Sequence, residues 1–290
     1  MSVFSKIIII YNPNSTGHSK DNAESFAATL SAAVPTSTPI TTIATTHAGH
    51  AEQLTRQYAD ESDAALVISS SGDGGYHEVI NGSLAANHPV TTGLLPSGNA
   101  NDHYHAIHQP NTIERIAAGD VSRIDVLNVS VTGADPWQRY AHSYVGIGLT
   151  PQIGEKLTKA DLNPFNEVWL VLKHLFTFSP VKIRVDDHAR HYDSLIASTI
   201  PKMSKIMNLS PDADATDGKF ELTTKRSTSL IALLTFLLRS IIPVGQSPSQ
   251  YQSYQFTVAR KTSIQLDGEV YHCAPGSTVT ISCEQQKLAC

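Results

Sequence analysis

The chain has 290 residues, 41% of them hydrophobic and 16% charged, with ten Tyr and eight Phe scattered along it. That composition excludes a mainly disordered chain and leaves room for two ordinary domains, each with a sizeable core. Twenty-one Lys and Arg against 26 Asp and Glu give a formal charge of −5, so the general attraction to phosphate backbones is missing and no nucleic-acid partner is expected. Protons on all 13 His would turn that −5 into +8, so surface charge is expected to reverse in mildly acidic medium.

In chain order, Ile7–Tyr11 reads as a strand and Asp21–Ala33 as a helix, with Asn12-Pro-Asn-Ser-Thr-Gly17 as the turn that joins them. The unit recurs as Ile40–Thr45 with Ala51–Asp60, as Ala64–Ser69 with Tyr76–Ala86, and as Thr92–Leu95 running into a further loop. Four such units predict a parallel sheet covered by helices. After Ile124 the pattern changes to short alternating runs, among them Val126–Val131, Ser143–Gly148, Leu195–Thr199, Phe220–Thr224, Ser263–Leu266 and Ser277–Ser282, interrupted by helical segments at Asn163–Thr177 and Ser229–Ile241. The second half is therefore predicted to be an antiparallel sandwich or barrel. The fold class is α/β followed by β, with domains at residues 1–125 and 126–290 and the last strands returning to the first domain.

Cys273, Cys283 and Cys290 are an odd number without Cys-x-x-Cys spacing and read as reduced thiols. Met1-Ser-Val-Phe-Ser-Lys-Ile leads into the first strand without the features of an export signal, so a cytoplasmic chain is expected. Val168–Phe178 and Leu230–Ile242 are the longest apolar stretches, both short of the ~20 residues a spanning helix needs. No transmembrane segment is expected. Both are read first as buried helices, with contact at a membrane interface as the other reading.

In an open α/β sheet ligands bind beyond the carboxyl ends of the strands. Three loops there share one composition: Asn12–Gly17, Ser70-Ser-Gly-Asp-Gly-Gly75 and Pro96-Ser-Gly-Asn-Ala-Asn-Asp102. Small residues let backbone N–H groups approach a phosphate, and a helix start behind them adds a favourable dipole. Neither Gly-x-x-x-x-Gly-Lys-Ser/Thr nor Gly-x-Gly-x-x-Gly after a strand is present.

The order and spacing of Ser71–Gly82, Pro96–Asp102 and Asp267-Gly-Glu269 resemble the catalytic domain of diacylglycerol kinases and related bacterial lipid kinases, a group that includes the sphingosine kinases. Asn12-Pro13…Gly17, Thr45…Gly49-His50-Ala51, Gly146-Ile-Gly148 and Asp217-Gly218-Lys-Phe220 are weaker matches in the same order. The resemblance implies an amino-terminal nucleotide-binding domain, a carboxy-terminal β-sandwich domain, and an active site in the cleft between them where ATP phosphorylates a lipid hydroxyl. It implies that Ser71, Gly72, Asp73, Gly74, Gly75, His77 and Glu78 surround the nucleotide phosphates, with Asp73 serving the phosphate or magnesium region. Asn12, Thr45, Gly98, Asn99, Asn101 and Asp102 are its further nucleotide contacts. Glu269 falls on the general base, and Asp214, Asp217 and Lys219 fall on a magnesium site that partly uses backbone carbonyls. ATP and Mg2+ are the implied cofactors. A lipid at the membrane surface is the implied substrate, with a peripheral membrane location and a homodimer as further expectations.

Four positions depart from the family pattern: Ser71 replaces a Gly, Gly75 a Thr, His77 an Asn and Asn99 a Thr. Losing one donor to a charged phosphate costs about 1.5–3 kcal/mol, so a catalytically impaired nucleotide- or lipid-binding protein is the alternative reading. A kinase for soluble NAD or a sugar phosphate is a third, against which Asp267-Gly-Glu269 argues. His103, His105 and His108 have poor spacing for three metal ligands and read as solvated or locally hydrogen-bonded.

Overall fold

The computed structural model describes residues 4–62, 64–107, 112–152, 179–203, 207–241 and 248–290. The expected helix at Asn163–Thr177 and His108 lie outside them. The chain divides into two compact units, Met1–Val126 with Gln285–Cys290, and Leu127–Glu284.

The first unit runs β1 (Lys6–Tyr11), α1 (Ser19–Ala33), β2 (Ile40–Ala44), α2 (His50–Glu61), β3 (Ala65–Ser71), α3 (Asp73–Leu84), β4 (Thr91–Pro96), α4 (Asp102–Ile107) and α5 (Thr112–Ala118). The four strands form a parallel sheet in the order β2-β1-β3-β4. Ile7–Ile10 and all seven residues of β3 are buried, as strands covered on both faces must be. Alternation divides them between two layers. Ile7, Ile9, Leu66 and Ile68 pack with Ala23 and Leu30 of α1, whereas Ile8, Ile10 and Val67, of opposite parity, are equally buried. Each such side chain contributes about 1.5–3 kcal/mol. Helix α3 begins at Asp73, three residues before the expected start, so the glycine-rich segment is the first turn of a helix rather than a loop.

The second unit carries β5 (Arg123–Thr132), β6 (Trp137–Ala141), β7 (Tyr144–Gly148), β8 (Val181–Val185), β9 (His188–Ser198), β10 (Lys202–Met203), β11 (Met207–Asn208), β12 (Phe220–Arg226), α6 (Leu230–Ile241), β13 (Ser249–Tyr251), β14 (Ser253–Val258), β15 (Thr262–Leu266), β16 (Glu269–Cys273) and β17 (Thr278–Ala289). The boundary between the units falls within β5 and β17. The predicted antiparallel sandwich or barrel is realised as a large curled sheet, β16-β15-β7-β9-β8-β14-β17-β5-β6, from which β12 and β13 branch, with β10 and β11 paired apart from it. The ends of that path meet. Trp137 of β6 donates its indole N–H to the His272 carbonyl of β16 at 3.0 Å and packs on Tyr271 with ring centroids 5.2 Å apart. One core cluster accordingly takes side chains from both ends, including Val129, Val131, Ile264 and Cys273. Curling the sheet onto itself buries one face, as two stacked sheets would. The three Cys are free, and burial pushes the Cys273 thiol up to about 12.

Helices α2 and α3 pack at a glycine. A Cβ on Gly82 would lie 2.4 Å from the Glu52 carbonyl and 2.9 Å from the Thr55 Cβ. Gly82→Ala is expected to force the helices apart and cost about 1–3 kcal/mol, read as a lower urea midpoint at unchanged slope; an unchanged midpoint would contradict this packing.

Candidate active site

The sheet order reverses direction between β1 and β3, the place where open α/β sheets bind ligands. The loops leaving β1, β3 and β4 are tied together there by main-chain hydrogen bonds. The Ser97 amide donates to the Ser71 carbonyl at 2.8 Å, the Gly17 amide to the Ser97 carbonyl at 3.0 Å, and the Asn12 amide to the Ser70 carbonyl at 3.4 Å. Asn22 donates from one carboxamide nitrogen to the Gly17 carbonyl and the Ser97 hydroxyl, both at 2.8 Å. Two glycines set the closest approach. A Cβ on Gly98 would lie 2.3 Å from the Cα of Gly72, and a Cβ on Gly17 would lie 2.7 Å from the Ser97 carbonyl oxygen. Asn101, in the left-handed region at φ 52, closes the β4 loop by accepting from the Gly98 amide and donating to the Gly98 carbonyl, each at 2.9 Å.

Helix α3 has Gly72 as its N-cap residue and no side-chain cap hydrogen bond. Its first-turn N–H groups, from Asp73 through Gly74 to Gly75, therefore suit an external acceptor such as phosphate. The two carboxylates of the helix act elsewhere. Asp73 accepts the amides of Asp102 at 3.0 Å and His103 at 3.2 Å, at the start of α4. Glu78 accepts the amides of Gly49 at 2.7 Å and Ala51 at 3.1 Å, at the start of α2. Each places an anion against the positive end of a helix and supplies the missing cap. His77 is buried one turn into α3, where its Nε2 meets the Asn81 carboxamide at 3.3 Å. Thr45 is half-buried after β2, and Asn99 is exposed at the tip of the β4 loop. His103, expected to be solvated or locally bonded, is buried against the Tyr76 ring at 5.2 Å, and His105 points elsewhere. Among the described residues no cluster of three or more His, Cys, Asp or Glu is arranged for a metal.

The departures at 71 and 75 are one feature. A Cβ on Gly75 would lie 2.3 Å from the Ser71 Oγ and 2.6 Å from its Cβ. The Ser71 side chain thus fills the space a residue 75 side chain would need, and its hydroxyl is held by Ser69 Oγ at 2.6 Å and the Gly72 carbonyl at 3.0 Å. Replacing Gly75 alone by Thr is blocked by Ser71.

Glu269, Asp214, Asp217 and Lys219 belong to the second unit. Asp267 and Gly268, at φ 50 and 104, form a two-residue hairpin turn that pairs Leu266 with Glu269. The Asp267 carboxylate is buried and accepts the amides of His142 at 2.8 Å, Ser143 at 2.9 Å and Tyr144 at 3.1 Å, with His142 Nε2 at 3.5 Å. The turn is thereby fixed to the β6–β7 turn and the first residue of β7, and Glu269 projects from it exposed. The turn at Asp267-Gly268 is readable in the sequence, but the anchoring role of the Asp267 carboxylate is not, since its partners lie at 142–144. Asp214 Oδ1 accepts the amide and hydroxyl of Thr216 at 2.9 and 2.7 Å, Asp217 Oδ1 accepts the Lys219 amide at 2.9 Å, and the Lys219 carbonyl faces the Cys283 thiol at 3.6 Å. Burial, and then the nearby charges of Asp217 and Asp212, raise the Glu221 carboxyl above its ordinary range against a hydrogen bond from Gln250, and its Oε2 has no hydrogen-bond partner. Asp214 and Asp217 are hard oxygen donors of the kind magnesium takes, although among the described residues they are not gathered with a third acid.

A double-mutant cycle tests the Ser71–Gly75 coupling. Gly75→Thr alone is expected to cost about 1–3 kcal/mol of stability, and Ser71→Gly with Gly75→Thr to recover most of it; additive effects in urea denaturation would show that the positions are independent.

The family described as the diacylglycerol kinase catalytic domain matches residues 6–129. The chain is 26% identical over 292 aligned residues to the diacylglycerol kinase of Bacillus subtilis strain 168, covering 94% of this chain and 92% of that one. It is 25% identical to the diacylglycerol kinase of Staphylococcus saprophyticus over 76% of this chain and 75% of that one. A diacylglycerol kinase crystal structure from Bacillus anthracis str. Sterne superposes with a TM-score of 0.68 at 20% identity, covering 99% of this chain and 96% of that one, and so shares the fold. With its sheet order and its loop contacts, the chain is thus similar through residues 6–129 to the diacylglycerol kinase catalytic domain, and over most of its length to bacterial diacylglycerol kinases.

Proposed function

We propose that the chain is an ATP- and magnesium-dependent kinase that transfers the γ-phosphate to a hydroxyl of diacylglycerol or a similar lipid. The observation that carries this reading is the α3 start. Its first-turn N–H groups lack a side-chain cap, and the Gly72–Gly98 approach lets a large anion reach them. Nucleotide phosphates are the anion, with Asn12, Thr45, Asn99 and the main chain of Gly72–Gly75 as further contacts. Asp73 positions: with its carboxylate on the amides of Asp102 and His103, it holds the β4 loop against α3. His77, Glu78 and Asn101 support the same frame from behind.

Glu269 is the general base. Its exposed carboxylate takes the proton of the lipid hydroxyl while that oxygen bonds to the γ-phosphorus and the bond to the bridging oxygen of ADP breaks. Asp267, through its three main-chain hydrogen bonds, fixes the direction in which Glu269 leaves the turn. Asp214, Asp217 and the Lys219 carbonyl would hold magnesium, which would neutralise the negative charge crowding Glu221. The enzyme acts peripherally at the membrane; no helix among the described residues is long and apolar enough to cross one.

The impaired-protein reading draws support from the absence of a hydroxyl at Gly75. One assay separates the two. With labelled ATP, magnesium and diacylglycerol in detergent micelles, the parent is expected to form a phosphorylated lipid and Glu269→Gln to lose about 10²–10⁴-fold of the rate. No turnover of any neutral lipid by the parent would favour impairment, and unchanged turnover in Glu269→Gln would overturn the role of the base.

A further inference from the structure

Helix α6 divides into two faces. Leu233 is buried against Leu149, with Leu234, Phe236 and Leu237 packed around the pair, and the Ser240 carbonyl accepts the Asn208 carboxamide at 3.0 Å. Ile231, Thr235 and Leu238 follow one another on the other face at helical spacing. Ile231 is 78% and Leu238 63% exposed, the two most exposed large hydrophobics among the described residues. The helix contains no acidic residue, and Arg239 borders the exposed face.

The charge around this face is unlike that of the rest of the chain. Between Leu222 and Leu266 there is no Asp or Glu, and there are five cations, Lys225, Arg226, Arg239, Arg260 and Lys261, in a chain of net charge −5. Strand register gathers four of them. Ile264 of β15 lies opposite Ile147 of β7, Ile147 opposite Leu195 of β9, and Leu195 opposite Thr224 of β12. The carboxyl end of β12, at Arg226, and the amino end of β15, just after Arg260 and Lys261, therefore share one end of the sheet, and α6 departs from that end. Among the described residues at this end, Asp193 takes Lys225 at 3.6 Å, and Asp186 and Asp187 of the β8–β9 turn lie in sequence between Arg184 and Arg190.

We infer that the Ile231–Leu238 face of α6, with Arg226, Arg239, Arg260 and Lys261 around it, docks on an anionic lipid bilayer. Two exposed aliphatic side chains on a helix that leaves a cation-rich end of the sheet match acyl chains beneath anionic headgroups. A second copy fits poorly, because the two cationic rims would face each other. The inference deepens the lipid-kinase reading and rests on it for the source of substrate. The docking end of β15 lies four residues, or about 13 Å, from the turn that carries Glu269, within the reach of one acyl chain.

The test is co-sedimentation of the full chain with phosphatidylcholine vesicles, pure or containing about one-third phosphatidylglycerol. The parent is expected to bind the anionic vesicles and to be released by high salt. I231D/L238D is expected to lose at least tenfold of that partitioning while still phosphorylating micellar lipid, and R239E/K261E to lose the preference for anionic vesicles. Should I231D/L238D fail to fold, the indole emission of I231W is expected to shift to the blue when vesicles are added. Equal binding to both vesicle types, parent-like partitioning of I231D/L238D, no emission shift, or a parent dimer that I231D/L238D dissociates would each overturn the inference. Vesicle binding that persists in a protein with no kinase activity would support it and count only against the catalytic reading.

Discussion

Everything proposed for the first unit depends on how closely two stretches of backbone pass. Gly72, at the end of β3, and Gly98, after β4, leave no room for a side chain between them, since a Cβ on Gly98 would come within 2.3 Å of the Gly72 Cα. Neighbouring parallel strands lie about 4.8 Å apart, so their loops meet this tightly only where both residues lack side chains. The approach brings the β4 loop over the first turn of α3 and lets the Ser97 amide reach the Ser71 carbonyl. It also leaves main-chain donors in place of side chains at the point where a phosphate would rest. Backbone donors held this way need no reorganisation when charge arrives.

Helix α3 is the second fixed element, and its acidic residues hold the starts of neighbouring helices. Asp73 caps α4 and Glu78 caps α2, so one helix clamps the starts of two others. Gly82 on the same helix gives α2 its close seat. The segment from Asp73 to Gly82 thus combines a start without a side-chain cap, the proposed phosphate site, with a structural remainder. The exchange at positions 71 and 75 has the same logic: one small side chain moves from one side of the turn to the other, and the packed volume is kept.

The four-unit parallel sheet was legible because Ile7–Ile10 and Ala65–Ser70 are apolar or small runs too short for helices and bounded by polar turns. The Asp267-Gly268 hairpin was legible because few dipeptides accept two positive φ values. The start of α3 was missed, since three glycines in four positions argue against a helix on propensity, whereas the capping carboxylates and close packing favour one in the fold. The cap roles of Asp73 and Glu78 were hidden because their partners, at 102–103 and 49–51, are distant in sequence. The antiparallel second half was legible as a sandwich or barrel because both bury alternate residues of each strand; the closure of its curled sheet, marked by the Trp137–His272 contact, was not. The acid-free stretch around α6 was in plain view; what it lacked was the strand register that gathers its cations at one end.

The most direct test of the phosphate-site account is calorimetric titration of magnesium-ATP and ADP into the parent and Gly98→Ala, with circular dichroism as a check on the fold. The added methyl must push the β4 loop off Gly72. The account predicts measurable binding by the parent and at least tenfold weaker binding by a folded Gly98→Ala, about 1.4 kcal/mol or more. Equal nucleotide affinity in the two proteins would contradict it.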